Sequence, residues 1–257
     1  MKLFSKLFLI LPLPLFLCAT TTVFADAKSD YEYQSSRYRQ NYIEYTILKK
    51  DYLGNPTLDN QQKAVLAAKQ TIQSRDLAKA GFADYLLFLC QEKQTNYTPV
   101  KPILDSLSAA KSFFLSEAEK SRLIVTPADL AIFTTNYNTD TITHNRSFRT
   151  GVIACKISQL VRIQIESKNA LDIILPKLAT PFSTPLQNRI DDLKSQGNKI
   201  NDLINTTTNK LFSEEQINNI DNESFFANNS ETIKKIQSLQ LKWIDSLIDI
   251  DLNYAHF

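Results

Sequence analysis

Apolar residues recur along most of this chain in steps of three and four, the spacing that places them on one face of an α-helix. The cleanest run lies in the C-terminal third. There Leu186, Ile190, Leu193, Gly197, Ile200, Ile204, Thr207 and Leu211 alternate steps of four and three, the seam of a coiled coil. Ile233, Ile236, Gln240, Trp243, Leu247, Ile250 and Tyr254 repeat that pattern closer to the C-terminus. Near the N-terminus Tyr31, Tyr38, Tyr45 and Tyr52 stand seven residues apart, and the spacing assigns Tyr42 and Leu48 to the same side.

Punctuation divides the pattern into helices. Gly54-Asn55-Pro56 ends a helix over 27–53, and Thr57 is the N-cap of a second that reaches Gln94. A third spans Pro99 to Val125. Thr126-Pro127-Ala128-Asp129 opens a fourth, with a capping threonine, proline at the first helical position and an acid in the first turn. The run from Asn136 to Asn145 is rich in Asn, Thr and Asp, which compete for their own backbone groups, so it predicts a loop that interrupts this helix. The helical pattern resumes near Ser147 and runs through Ile153, Ile157, Leu160, Leu171, Ile174 and Leu178, with Pro176 kinking or ending it. Thr184-Pro185-Leu186-Gln187 and Ser213-Glu214-Glu215-Gln216 read as capping boxes for two later helices. Short polar connectors between long helices favour antiparallel neighbours. The expected fold is all-α, an elongated antiparallel helical bundle with coiled-coil-like hairpins.

The first residues carry a different signal. Lys2 and Lys6 precede an apolar run from Leu7 to Leu17, and Val23-Phe24-Ala25 places small residues where signal peptidase needs them. Residues 1–25 therefore read as a cleaved signal peptide, and residues 26–257 as a single helical-bundle domain. A spanning helix wants roughly 20 apolar residues without interior proline, whereas this run is shorter and contains Pro12 and Pro14. An uncleaved anchor is the lesser alternative, and contact with a membrane is expected only in that case. A lipoprotein reading at Cys18 is weaker still, because Leu17 precedes it. Export places the protein at the cell surface, in a periplasm or outside the cell. It also permits a disulfide between Cys90 and Cys155, provided the bundle brings both to one end; two buried thiols are the alternative.

Composition removes several function classes. Without Lys2 and Lys6 the basic and acidic residues balance, whereas nucleic-acid binding draws most of its affinity from an excess of positive charge. Four glycines, Gly54, Gly81, Gly151 and Gly197, leave little material for tight hairpins or phosphate-cradling loops. His144 and His256 are the only histidines, and neither HExxH nor a Glu-x-x-His pair occurs, so no metal site and no cofactor are expected. Both histidines read as solvated. Ser108-Ala109-Ala110-Lys111 matches the S-x-x-K of serine acyl-transfer enzymes but lacks the companion S-D-N and K-T-G elements, and reads as a helix face. Asp245, Asp249 and Asp251 read as an exposed acidic face. Between Arg146 and Lys168 basic residues dominate, and beyond Ser213 acids do, so these two segments are expected to pack together if their charges direct the fold.

No catalytic residues emerge, and the expectation is a non-enzymatic exported protein that acts as a structural or protein-interaction module, with self-association through a helix seam as one form. The candidate interaction stripe is Tyr31, Tyr38, Tyr42, Tyr45 and Tyr52, since tyrosine joins an apolar ring to a polar tip. That reading predicts an exposed apolar or tyrosine-rich stripe. The alternative, a helical domain for sugars, lipids or peptides, predicts tyrosines that converge on an enclosed pocket.

Overall fold

A computed structural model describes residues 14–91, 100–178, 181–213 and 223–254. Six α-helices account for almost all of them: α1 (Pro14–Gly54), α2 (Leu58–Gln91), α3 (Lys101–Lys120), α4 (Pro127–Ile174), α5 (Thr184–Leu211) and α6 (Glu223–Tyr254). The protein is an all-α helical bundle. The N-terminal part of the leader and the capping box beyond Ser213 lie outside the described residues. No helix among the described residues is long and apolar enough to cross a membrane.

Helix ends follow local chemistry. Thr57 Oγ1 accepts from the Asn60 backbone N–H (3.2 Å), which caps α2. Thr126 and Asp129 cap α4 reciprocally: Asp129 N–H donates to Thr126 Oγ1 (3.2 Å) while the Thr126 and Val125 N–H groups donate to Asp129 Oδ2. These bonds to the charged form hold the Asp129 carboxyl below its ordinary value. Pro176 falls in a 3-10 turn, Leu175–Lys177, directly after α4 ends. The expected box at Thr184 is corrected by one residue. Ser183 is the N-cap, with no side-chain capping bond, and Gln187 instead donates to Asp191 (3.0 Å).

The larger correction concerns α4. Residues 136–145 are not a loop but the middle of one helix from Pro127 to Ile174. The threonines lose their competing role by back-bonding, Thr134 Oγ1 to the Leu130 carbonyl (2.7 Å) and Thr135 Oγ1 to the Ala131 carbonyl (3.0 Å). Burial supplies the rest: Tyr137 and Thr141, one turn apart, are both buried.

Contacts divide the chain into two compact units, one made of the described residues up to Phe88 with Leu107–His144, the other of Leu89–Ser106 with the residues from Asn145 onward. In the second unit the back half of α4, α5, and α6 from Ile233 onward share one core that includes Ile157, Leu160, Ile190, Leu193, Ile204, Ile236 and Trp243. All eight positions of the α5 seam are buried. Arg189 meets Asp249 and Leu193 meets Trp243, so α5 and α6 run antiparallel. Gln240 Nε2 donates to the Leu160 carbonyl (2.7 Å) and so joins α6 to α4. The basic and acidic segments thus pack together, and among the described residues this buried amide and the apolar core join them. Two ion pairs described nearby run within α4 (Arg162–Glu166) and between α5 and α6 (Arg189–Asp249).

In the first unit α1 lies antiparallel on α2: Tyr31 meets Gly81, Phe82 and Tyr85, Asn41 meets Gln70 and Ser74, and Tyr52 meets Gln61. The partner surface is a ladder of small buried residues on α2, Ala67, Thr71, Ser74, Ala78 and Gly81, with the same four-three spacing. Gly81 allows a close approach. A Cβ there would stand 3.4 Å from Tyr31 Cα.

Candidate functional site

The tyrosine helix α1 presents two faces. Tyr31, Gln34, Tyr38, Asn41, Tyr45, Leu48 and Tyr52 are half-buried in steps of three and four against α2. Tyr42 does not belong to this seam and is exposed, which corrects the sequence expectation. Spacing alone allows either Asn41 or Tyr42 between Tyr38 and Tyr45. Asn41 takes the inward place because its amide donates to Ser74 Oγ (3.0 Å) and the Gln70 carbonyl (3.3 Å), while Thr71 Oγ1 donates to the Asn41 carbonyl (2.9 Å). The seam tyrosines therefore stand in line along a helix pair. On the opposite side Ile43 and Ile47, one turn apart, point away from α2, flanked by Tyr42 and Leu53; these four are 52–69% exposed.

A second cluster was not legible in the sequence. Asp76 on α2 is fully buried, and three donor groups surround its carboxylate. Arg75 Nε (2.9 Å) and Tyr137 Oη (2.6 Å) donate to Oδ1, and Arg75 Nη2 (3.3 Å) donates to Oδ2. The Arg75 guanidinium lies 3.7 Å from the centroid of the Tyr137 ring. Lys79, one turn after Arg75, donates to Tyr137 Oη (3.2 Å) and lies 4.7 Å from the Phe114 ring. Glu117 of α3 is buried as well and pairs with Lys120 (2.6 Å).

Burial dominates the protonation of this cluster. It raises the Asp76 carboxyl against the opposing pull of Arg75 and the Tyr137 hydrogen bond. Desolvation, helped by the Arg75 charge, brings Lys79 down to about 8. Tyr137 is pushed well up, first by burial and then by Asp76, and stays a hydrogen-bond donor. Chemically, the arrangement ties α2 to α4: its acid takes three hydrogen bonds and its phenol is held protonated.

The remaining candidates have defined places. Cys90 and Cys155 are bonded to one another, with Cα atoms 4.8 Å apart, in the second unit. His144 is not simply solvated: its ring stacks on Phe113 with centroids 4.1 Å apart, and partial burial lowers its pKa. Lys111 of the S-x-x-K match pairs with Asp84 (2.6 Å) and Ser108 is exposed. Asp249 is engaged by Arg189 and Asn253, and no cluster of three or more metal-ligating side chains occurs among the described residues. Trp243 is buried, and its Nε1 donates to the Leu193 carbonyl (2.6 Å).

No known protein family, curated protein or solved structure matches this chain.

Proposed function

We propose that this chain is a non-enzymatic helical protein of the cell envelope or exterior that works as a structural or protein-interaction module. The observation that carries the reading is the two-faced α1, which spends its tyrosine seam on α2 and leaves Ile43 and Ile47 outward. With Tyr42 and Leu53 they form an apolar strip along the outer side of α1, the kind of surface a partner covers. Support for the location comes from the leader pattern and from the Cys90–Cys155 disulfide, a bond that persists in oxidising compartments.

The test uses a photo-crosslinking residue in place of Gln40, beside the exposed isoleucines, in the protein expressed in its native host. A cross-linked protein is identified by mass, purified and rebound to the wild type and to an Ile43→Glu/Ile47→Glu variant. The reading expects binding that the variant loses at unchanged helicity. Equal binding by both proteins, or no cross-linked partner, overturns it. N-terminal sequencing of the same material is expected to start at Asp26, and a start at Met1 overturns the processed-leader reading.

A further inference from the structure

The middle of α4 is helical against its own sequence. The twelve residues from Thr134 to Asn145 include no Ala, Leu, Arg, Met, Lys, Gln or Glu, so every residue with high intrinsic helix propensity is missing. The flanks differ: Leu130 and Ala131 precede the segment, and the apolar stripe from Ile153 follows it. What holds the segment is tertiary. Tyr137 donates to the fully buried Asp76 and lies under Arg75, Thr141 is buried one turn later, and His144 stacks on Phe113. These contacts come from two other helices, α2 and α3. Its last two residues, His144 and Asn145, fall on either side of the sequence division between the two compact units.

We propose that residues 134–145 are a conditional helix, ordered by the Tyr137–Asp76 and His144–Phe113 contacts, which opens locally while the later part of α4 stays folded. The physical basis is a balance. Each residue in the segment has weak propensity, so loss of one tertiary tie leaves too little to keep the backbone helical. Beyond Ile153 the same helix is held by a continuous apolar core and has no such dependence. The device is an order–disorder element inside a long helix, and anything that competes for Tyr137 or Asp76 would release it.

Hydrogen exchange read by mass spectrometry tests this on the whole purified protein. In the wild type the amides of 134–145 are expected to exchange faster than those of 153–174. Tyr137→Phe leaves the buried Asp76 one donor short and is expected to speed exchange in 134–145 by roughly tenfold, with less than about twofold change in 153–174. Asn138→Ala/Thr139→Ala, at two exposed positions, raises intrinsic propensity and is expected to recover most of that loss when added to Tyr137→Phe. Exchange in 134–145 as slow as in 153–174 and unmoved by Tyr137→Phe overturns the proposal. So does acceleration of both segments together, which would make the opening global, or a failure of the alanine pair to rescue.

Discussion

Gly197 of α5 lies directly beneath the indole of Trp243: a Cβ added at Gly197 would stand 3.1 Å from Trp243 Cζ2 and 3.3 Å from Nε1. Glycine in a helix interior ordinarily costs about 1 kcal/mol relative to alanine. Here it permits a tryptophan at a position that the seam shares with leucine and isoleucine. The ring has little freedom to yield, because it is buried and its Nε1 is bonded to the Leu193 carbonyl at 2.6 Å. Gly197→Ala is therefore expected to destabilise the protein by about 1–2 kcal/mol despite the better propensity of alanine, since overpacking costs typically 1–3 kcal/mol. Combined with Trp243→Phe the alanine should cost much less. Denaturant midpoints of the four proteins in this cycle measure the coupling, and additive effects would show that the ring moves freely.

The α4–α6 contact contains a pair of buried glutamines. Gln164 Nε2 donates to the Gly197 carbonyl (3.0 Å), and Gln240 Nε2 donates to the Leu160 carbonyl and to Gln164 Oε1 (3.3 Å), while Gln240 Oε1 has no partner. Gln240→Leu strands Gln164 Oε1 and is expected to cost about 1–2 kcal/mol. The double variant Gln164→Leu/Gln240→Leu removes both polar groups and should be at least as stable as the single one. Chemical denaturation compares them; a double variant less stable than either single one would refute the argument.

Cys90 and Cys155 are 65 residues apart in sequence. Closing a loop of that length restricts the unfolded chain enough to contribute about 4 kcal/mol. Reduction is expected to lower the melting temperature, and Cys90→Ala/Cys155→Ala should reproduce the reduced value. Intact mass with and without reductant checks the bond itself, which adds two hydrogens when it opens.

The ionic cluster of the first unit predicts two opposed pH dependences. Lys79 holds its proton less tightly when folded (about 8) than when unfolded (10.5), so the unfolded chain binds more protons between these values and stability rises with pH across that window. Asp76 is raised above 3.8 by burial, so the folded chain binds more protons just above that value and stability rises as pH falls there. Lys79→Met should flatten the alkaline limb and Asp76→Asn the acidic one, read from denaturation midpoints across pH. An alkaline slope that survives in Lys79→Met would assign it elsewhere.

His144 acts in the opposite sense to Asp76. Its folded pKa lies below 6.5 because its ring is partly desolvated against Phe113, with Asp140 on the same helix opposing the shift. Acidification through and below 6.5 protonates the open segment first and so destabilises the helix around it. Faster exchange in 134–145 on acidification, after correction for the intrinsic rate, is expected to vanish in His144→Phe.

The sequence by itself determined the helical class and most helix ends, together with the α5 and α6 seams, because these depend on residues within a turn or two of one another. Thr57 and Thr126 cap where their local patterns say they should, and each residue of the α5 stripe is buried. Tertiary structure decided the rest. Whether Asn41 or Tyr42 turns inward depends on Ser74 and Gln70, some thirty residues away. The small-residue ladder of α2 was the available signal for that partner surface, but its alanines read equally well as ordinary helix formers. The helix over 136–145 and the Asp76–Tyr137 tie were hidden for one shared reason: side chains 61 residues apart supply the stabilisation that local propensity withholds. Periodicity specifies which face of a helix is buried, but only the assembled core specifies against what, and there the long-range contacts outweighed the preferences of the chain.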